Sequence, residues 1–153
     1  LLCHHKNWQS DHYEQQTGAV AEFLGDTIYT LSSEPNKLIA IDTEEGIDRI
    51  IDILTPLVGD QVTLVRSQRD FLEITAPNVS KGRALAQLAL DNNLSLENIV
   101  SFGNAENDIS MLSETGYSVA VSNATEHVKS VANEVCGHHN EDGVAHWIEE
   151  NLL

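Results

Sequence analysis

This chain of 153 residues has little cysteine, little proline and few basic residues, and it has no long apolar run. Its two cysteines, Cys3 and Cys136, are too few and too far apart for a disulfide framework, so we expect free thiols. No stretch approaches the roughly 18 consecutive apolar residues of a membrane span. No charged-then-apolar leader is recognisable either. These absences predict a soluble, cytoplasmic protein that is not a membrane partner.

Positive charge is scarce: 8 Lys and Arg residues stand against 24 Asp and Glu residues, for a net charge of −16. Such a surface repels nucleic acid and anionic membranes, so neither is an expected partner. A phosphorylated substrate would be repelled too, unless a bound cation and a well-placed lysine offset the field locally. Apolar residues, in contrast, make up 41% of the chain, which is enough for a buried core.

The first half of the sequence changes character at residue 37. Residues 1–36 show no clean hydrophobic period. The patterns that follow predict a strand at 37–41, a helix through 47–58 whose last turn Pro56 should kink or shorten, and strands at 61–66 and 70–75 joined by a hairpin at 67–69. This order of elements describes a small α+β layer.

After Pro77 the pattern becomes a regular alternation of helices and strands. The predicted elements are a helix capped by Ser80 and ending near 92, strand 98–102, helix 106–114, strand 117–121, helix 124–132, a short strand near Val135 and a last helix after Asn140. Strands that alternate with helices over short connections form parallel β/α units, so this half is predicted to be doubly wound.

Residues 101–108 are the most informative stretch. An apolar run stops at Gly103, and short polar and acidic side chains follow before a helical pattern begins. Open α/β sheets place ligands for metals and phosphates at this position, outside the carboxyl end of a strand. Lys81, in the first turn of a helix, suits an anion-binding role, although taken alone it is more simply a solvated lysine at a helix start. By itself Asp108 is equally an acid favoured by the helix dipole.

Four ordered motifs give these residues a context: Ser80–Gly82, Gly103–Leu112, Val119–Ala124 and Glu141–Ala145. Together they resemble the C-terminal part of Cof-type phosphatases of the haloacid dehalogenase superfamily. The resemblance is close over residues 80–152, and the strand–helix–hairpin segment before it is similar to the end of that family's cap domain. It implies an α/β fold: a partial doubly wound, Rossmann-like core at 77–153, preceded by part of an α/β cap domain at 1–76.

The resemblance also implies chemistry. In the family an aspartate nucleophile near the N-terminus attacks the phosphoryl group, a second aspartate two residues later is the general acid and base, and a lysine neutralises the phosphate beside Mg²⁺. On this chain the resemblance assigns the catalytic lysine to Lys81, the Mg²⁺ ligands to Asp108 and Asn104, and substrate-binding positions to Asn107 and Asn123. Lys129, one helix further on, is predicted to lie on a solvated helix face.

Asn104 departs from the family's motif, which has aspartate at this position. An asparagine carbonyl brings no charge, and hard cations favour carboxylates. The sequence therefore predicts weakened Mg²⁺ binding.

The nucleophile is the second departure. Asp26 is followed by Ile28 at the position of the acid and base, so we interpret it as part of a turn. Asp42 ends a strand and has an acidic residue two positions later, which raises the alternative of a compact site formed by Asp42, Glu44, Ser67, Lys81 and Asp108. Against this alternative, the hairpin fits a cap domain, and Asp42 and Glu44 also fit the start of the next helix.

The remaining candidates for metal ligands are six histidines: His4, His5, His12, His138, His139 and His146. Adjacent histidines point in different directions on regular elements, and no cysteine spacing accompanies them. We interpret them as surface or loop residues.

The function expected from the sequence is that of the C-terminal part of a Mg²⁺-dependent phosphohydrolase for small phosphorylated metabolites, lacking the nucleophile and inactive alone. The alternative is a non-catalytic binding module that keeps the scaffold. Because the family's central strand is not found, exposed sheet edges should favour pairing with another copy as a homodimer.

Overall fold

The computed structural model describes all residues, 1–153. Its strands are β1 (Leu2–Cys3), β2 (Glu22–Phe23), β3 (Lys37–Ile41), β4 (Thr63–Gln68), β5 (Phe71–Thr75), β6 (Val100–Gly103), β7 (Tyr117–Val121) and β8 (Glu134–Cys136). Its helices are α1 (Trp8–Thr17), α2 (Glu44–Val58), α3 (Lys81–Asp91), α4 (Ile109–Glu114), α5 (Glu126–Val131) and α6 (Gly143–Asn151). None of these helices combines the length and the apolar character that a membrane crossing requires.

The first 36 residues contain a helix, α1, that the sequence analysis did not identify. Asn7 and Ser10 form a reciprocal cap at its start, with hydrogen bonds of 2.8 and 3.1 Å between side chains and backbone N–H groups. Strands β1 and β2 flank it and pair in parallel. The helix docks on the next sheet, where the rings of Tyr13 and Phe71 stack with centroids 5.8 Å apart.

The predicted strand–helix–hairpin segment forms an antiparallel sheet in the order β3-β5-β4. Ser67, expected in the hairpin turn, lies within β4 at an irregularity of the register between Arg66 and Gln68. The turn itself falls at residues 69–70. Pro56 lies in the last turn of α2, which continues to Val58 and ends there.

The two faces of this antiparallel sheet have different neighbours. Arg66 forms ion pairs with Glu44 and Asp48, so α2 lies on the face to which Arg66 points. Ile47 of α2 and Leu72 of β5 have no exposed surface. Because alternate strand residues point to opposite faces, the odd-numbered residues of β4 and β5 point away from α2. We call this second surface the open face; its members used below are Thr63, Val65, Glu73 and Thr75.

The C-terminal half forms a parallel sheet in the order β6-β7-β8, as the alternation of elements predicts. The alternation of helices with these parallel strands confirms the expected doubly wound, Rossmann-like α/β core. A contiguous buried cluster fills it: Leu112, Val119, Ala120, Val121, Ala124, Val128, Cys136 and Trp147. Both cysteines are free, as predicted. Strand β6 pairs with β7 on one side, and its other edge carries no strand.

Glu134 connects two strands and the last helix of this half. One of its carboxylate oxygens accepts hydrogen bonds from the Tyr117 hydroxyl at 3.1 Å and from the Trp147 indole N–H at 3.0 Å. The bond to Glu134 raises the pKa of Tyr117, because the carboxylate favours the protonated phenol. Trp147 is 7% exposed and belongs to the core.

The antiparallel sheet and the parallel half are joined by four exposed residues, 76–79, between β5 and α3. Asn78 adopts a left-handed conformation there, with φ of 64°. Its backbone N–H donates to the Thr63 hydroxyl at 3.1 Å. This bond attaches the linker to the edge of the open face.

Candidate functional site

Lys81 is the first residue of α3, and two neighbours determine where its ammonium group lies. The Ser80 hydroxyl caps the helix by accepting from the Arg83 N–H at 3.1 Å. At Gly82 the backbone of α3 approaches α4 so closely that a Cβ atom would lie 2.6 Å from the Ser110 carbonyl oxygen. The Gly82 N–H donates to the Ser110 hydroxyl at 3.1 Å. This close approach brings Lys81 beside the loop that precedes α4.

Asp108 is the centre of that loop. Its side chain is only 4% exposed, and one carboxylate oxygen forms an ion pair with the Lys81 ammonium. The other oxygen accepts the backbone N–H groups of Asn104 at 2.8 Å and Ala105 at 3.1 Å. Burial acts to raise the pKa of Asp108, but these three hydrogen bonds and the charge of Lys81 outweigh it and hold that pKa below its ordinary value. The carboxylate is therefore ionised at neutral pH.

A cavity of about 550 Å³ opens beside Lys81. It lies between the open face of the antiparallel sheet and the start of α3 and α4. Its lining residues are Thr63, Val65, Glu73, Thr75, Val79, Ser80, Lys81, Ala84, Glu106, Asn107, Ile109 and Ser110. A cleft with a half-exposed ammonium group at its wall suits an anionic group attached to a small organic molecule. The two carboxylates in its lining already have partners: Glu73 pairs with Lys37, and Glu106 contacts Thr125 and His127.

Four of the five residues that the resemblance selects come together at this place. Asp108 pairs with Lys81, Asn107 lines the same cavity, and Asn104 binds Asp108 through its backbone N–H. Asn123 lies elsewhere: its side-chain oxygen accepts the His139 N–H at 3.3 Å, and it does not line the cavity.

Oxygen ligands for Mg²⁺ are present at the loop, but they make only part of a site. Asp108 supplies a carboxylate, and the Asn104 side chain is exposed and has no hydrogen-bond partner in the protein. No group of three or more His, Cys, Asp and Glu residues could hold a metal ion. Mg²⁺ is commonly bound through one or two carboxylates together with waters and substrate phosphates. The Asp108 carboxylate and the Asn104 amide oxygen are therefore donors of a suitable chemical type for Mg²⁺.

The compact site around Asp42 is not formed. Ile41, at the end of β3, pairs with Phe71, whereas Lys37 pairs with Thr75, which lines the cavity. Four residues of extended strand, about 13 Å, separate these two ends of the sheet. Asp42 instead accepts the backbone N–H of Thr43 at 2.7 Å, as a residue at a helix start does.

The other residues considered from sequence lie outside the cavity. Asp26 is in a short 3₁₀ turn, as predicted, and contacts His4 at 2.9 Å. Lys129 pairs with Glu126 on its own helix at 2.9 Å.

Sequence reasoning missed two sets of residues at the site. The cavity wall formed by Thr63, Val65, Glu73 and Thr75 was not anticipated, although their alternation along β4 and β5 marks a common face. The second set holds Glu106 to α5: its carboxylate accepts from the Thr125 hydroxyl at 3.1 Å and contacts the His127 ring nitrogen at 2.8 Å. These residues lie far apart in sequence, and no local signal pairs them.

A family model and several known proteins match this chain. The family described as haloacid dehalogenase-like hydrolase matches residues 2–148. Phosphatase YwpJ of Bacillus subtilis is 40% identical over 94 residues, which cover 61% of this chain and 33% of that protein. The chloroplastic endoribonuclease YBEY of Arabidopsis thaliana is 33% identical over 140 residues, or 80% of this chain and 24% of that protein.

Among solved structures, the Thermotoga maritima protein TM0651 matches with a TM-score of 0.81 and 32% identity, over 99% of this chain and 57% of that one. The chain spans about a quarter to three fifths of the length of these relatives. A substantial part of each relative therefore has no counterpart among these residues.

Proposed function

Because this chain belongs to the haloacid dehalogenase-like hydrolases, we propose that it is the C-terminal part of a Mg²⁺-dependent phosphohydrolase that acts on small phosphorylated metabolites. The observation that carries the proposal is the Lys81–Asp108 ion pair at the wall of the cavity. The buried carboxylate of Asp108 fixes the position of the Lys81 ammonium group, and phosphoryl transfer depends mainly on positioning and charge compensation.

Each residue has a role in this proposal. Lys81 binds the phosphoryl oxygens, and Asp108 orients Lys81 and ties the backbone of the loop at Asn104. The organic part of the substrate occupies the cavity against the open face, with Thr63 and Thr75 as hydroxyl partners. Asp108 and Asn104 would hold Mg²⁺, which when bound neutralises charge on the phosphoryl group.

The nucleophile would come from a segment outside these 153 residues. Strand β6 has an edge without a neighbour, and Lys81 and Asp108 lie by the loop at its carboxyl end. A further strand paired with β6 would end at the same edge of the sheet, within reach of the cavity. This chain alone is then expected to have negligible turnover.

A phosphatase assay tests the proposal directly. p-Nitrophenyl phosphate with Mg²⁺ is offered to this chain and to a longer protein that contains it after a segment with an Asp-x-Asp-Gly pattern. We expect hydrolysis by the longer protein only, with loss of activity in its Lys81→Met variant. Hydrolysis by the longer protein that survives Lys81→Met would refute the assigned role of Lys81.

Asn104 provides a second test. We propose that its uncharged amide weakens Mg²⁺ binding, since hard cations favour carboxylates. Calorimetric titration of Mg²⁺ should show tighter binding to Asn104→Asp than to the unaltered chain. Equal affinities would contradict the proposal.

Asn104 also favours a second candidate function, a non-catalytic binding module that keeps the scaffold. The discriminating observation is the coding sequence upstream of Leu1. An in-frame upstream segment with an Asp-x-Asp-Gly pattern would support the phosphohydrolase. A start codon directly before the codon of Leu1 would support the binding module.

We further propose that the protein acts in the cytoplasm on small molecules and does not bind nucleic acid or membranes. A net charge of −16 disfavours both polyanionic surfaces. The open edge of β6 supports pairing with a second copy when the chain is isolated. Measurement of the mass in solution tests this pairing, and a stable monomer would contradict it.

A further inference from the structure

Glu106 attaches the loop of residues 104–108 to helix α5. Its two carboxylate oxygens have separate partners: the Thr125 hydroxyl donates to one at 3.1 Å, and the His127 Nδ1 atom lies 2.8 Å from the other. A carboxylate held at both oxygens is fixed in orientation as well as in position. We call Glu106, Thr125 and His127 together the α5 clamp.

The clamp acts on a loop that has few other external attachments. Within the loop, Asp108 accepts the N–H groups of Asn104 and Ala105, and outside it Asp108 contacts Lys81. The side-chain amides of Asn104 and Asn107 have no hydrogen-bond partner in the protein. Glu106 directly precedes Asn107 and Asp108, so its attachment to α5 lies next to both of these residues in the chain.

We propose that Glu106 is a positioning residue, held by Thr125 and His127 so that the loop presents Asn107 to the cavity and Asp108 to Lys81. The inference rests on the proposed function only where the loop is said to serve phosphate binding. The attachment of Glu106 to Thr125 and His127 is independent of that function. Neither the motifs nor the resemblance assigns a role to Thr125 or His127.

A purely structural role for the clamp predicts that its removal destabilises the whole parallel sheet, whereas a positioning role predicts a change in the loop alone. The side chains of Glu106 and His127 are 39% and 65% exposed, and exposed ion pairs add little to global stability. Removal of the clamp should therefore loosen the loop while the rest of the parallel sheet stays folded.

Amide hydrogen exchange, measured by NMR, reads this directly at Asn104 and Ala105, whose N–H groups bind Asp108. In Glu106→Ala we expect both amides to exchange about tenfold faster, as loss of hydrogen bonds to a charged group implies. Amides of strand β7 should keep their rates. His127→Gln retains an N–H donor, so the amides of Asn104 and Ala105 should keep their slow exchange in this variant. His127→Leu has no donor and should behave like Glu106→Ala.

Glu126→Ala is the matched control, because Glu126 lies on the same helix and its side chain pairs only with Lys129. It should leave the loop amides unchanged. Unchanged exchange at Asn104 and Ala105 in both Glu106→Ala and His127→Leu would overturn the inference. Equal acceleration throughout β7 would overturn it too, because it would show a global structural role.

Inorganic phosphate with Mg²⁺, followed by ³¹P line broadening on the longer protein, separates this inference from the proposed function. A loosened loop in Glu106→Ala without phosphate binding to the parent protein supports the clamp and refutes the function. Phosphate binding with an unchanged loop refutes the clamp and supports the function.

Discussion

The two halves of this molecule bury their apolar residues unequally. Residues 1–76 contribute Ile47, Phe71 and Leu72 to the buried apolar set, and residues 77–153 contribute the other nine of twelve. The C-terminal half has a contiguous core under a parallel sheet. In the N-terminal half, α1 and α2 both pack against the antiparallel sheet, and β1 and β2 form a separate parallel pair. The half with the larger core also carries Lys81 and Asp108, so the charged site is built beside the larger set of buried apolar residues.

The N-terminal half has a complementary role. Its open face supplies one wall of the cavity and carries no ion pair with the site, since Glu73 pairs with Lys37 of its own sheet at 3.1 Å. Charge is thus positioned by one half, and the shape of the cavity is completed by the other.

The unequal cores predict that Leu112→Ala has the largest effect. Leu112 is 2% exposed, and deletion of its side chain should lower the free energy of unfolding by about 2–5 kcal/mol. Leu38→Ala, at a position that is 55% exposed, is the control and should cost less than about 1 kcal/mol. Urea denaturation measures both, and similar losses for the two variants would contradict the burial of Leu112 in the C-terminal core.

Ile47→Ala sharpens the same contrast, because Ile47 is fully buried in the N-terminal half. If the halves unfold separately, exchange should accelerate in β5 and not in β7. We expect a local loss of about 2 kcal/mol in β3 and β5. Equal acceleration in both sheets would show that the chain unfolds as one unit.

Gly82→Ala tests the contact that places Lys81. Because the added Cβ would meet the Ser110 carbonyl oxygen at 2.6 Å, α3 must move away from α4, at a cost of about 1–3 kcal/mol. Arg83→Ala, at the exposed next position, is the control. A variant of unchanged stability would show that the close approach is not required.

Lys81→Met should have a smaller effect on stability, about 1 kcal/mol, because Lys81 is half-exposed. Its clearer consequence is on Asp108, whose burial is then opposed only by the two backbone N–H groups, so that its pKa rises. Carboxyl NMR titration measures this pKa. The control, Lys129→Met, removes a lysine paired on its own helix and should leave Asp108 unchanged.

The smallest expected effect is the acid dependence of Asp108. Its pKa is lower in the folded protein, so its stabilising contribution is complete above about pH 4, the ordinary value for an aspartate, and is lost as the pH falls through the lowered pKa. Urea midpoints measured from pH 6 to pH 2 should therefore decline more steeply for the unaltered chain than for Asp108→Asn. Parallel declines would contradict the lowered pKa.

Local patterns were enough to predict the C-terminal half. The strand Tyr117–Val121 has the bounds predicted for it, and Ser80 caps α3 as expected. In the N-terminal half, α1 was missed because its residues are mostly polar and have no apolar stripe. Its cap at Asn7 and its stacking on Phe71 hold it in place, and the second of these is a tertiary contact.

The proximity of the candidate site residues was predictable where a motif specifies it. Lys81, Asn104, Asn107 and Asp108 meet as the resemblance implies, although Lys81 and Asp108 lie 27 residues apart. The compact site failed because Asp42 ends a strand at the far end of the antiparallel sheet. The cavity wall and the α5 clamp depend on how separate elements pack, which no spacing within one segment encodes.

The exposed linker at 76–79 has a practical consequence, because it is the one covalent connection between the two halves. A single cut beside Asn78 would turn the cavity into an interface between two separate polypeptides. Their reassociation would then depend on concentration, since the tether no longer supplies a high effective concentration. The dissociation constant of the two pieces would report directly how strongly the walls of the cavity attract each other.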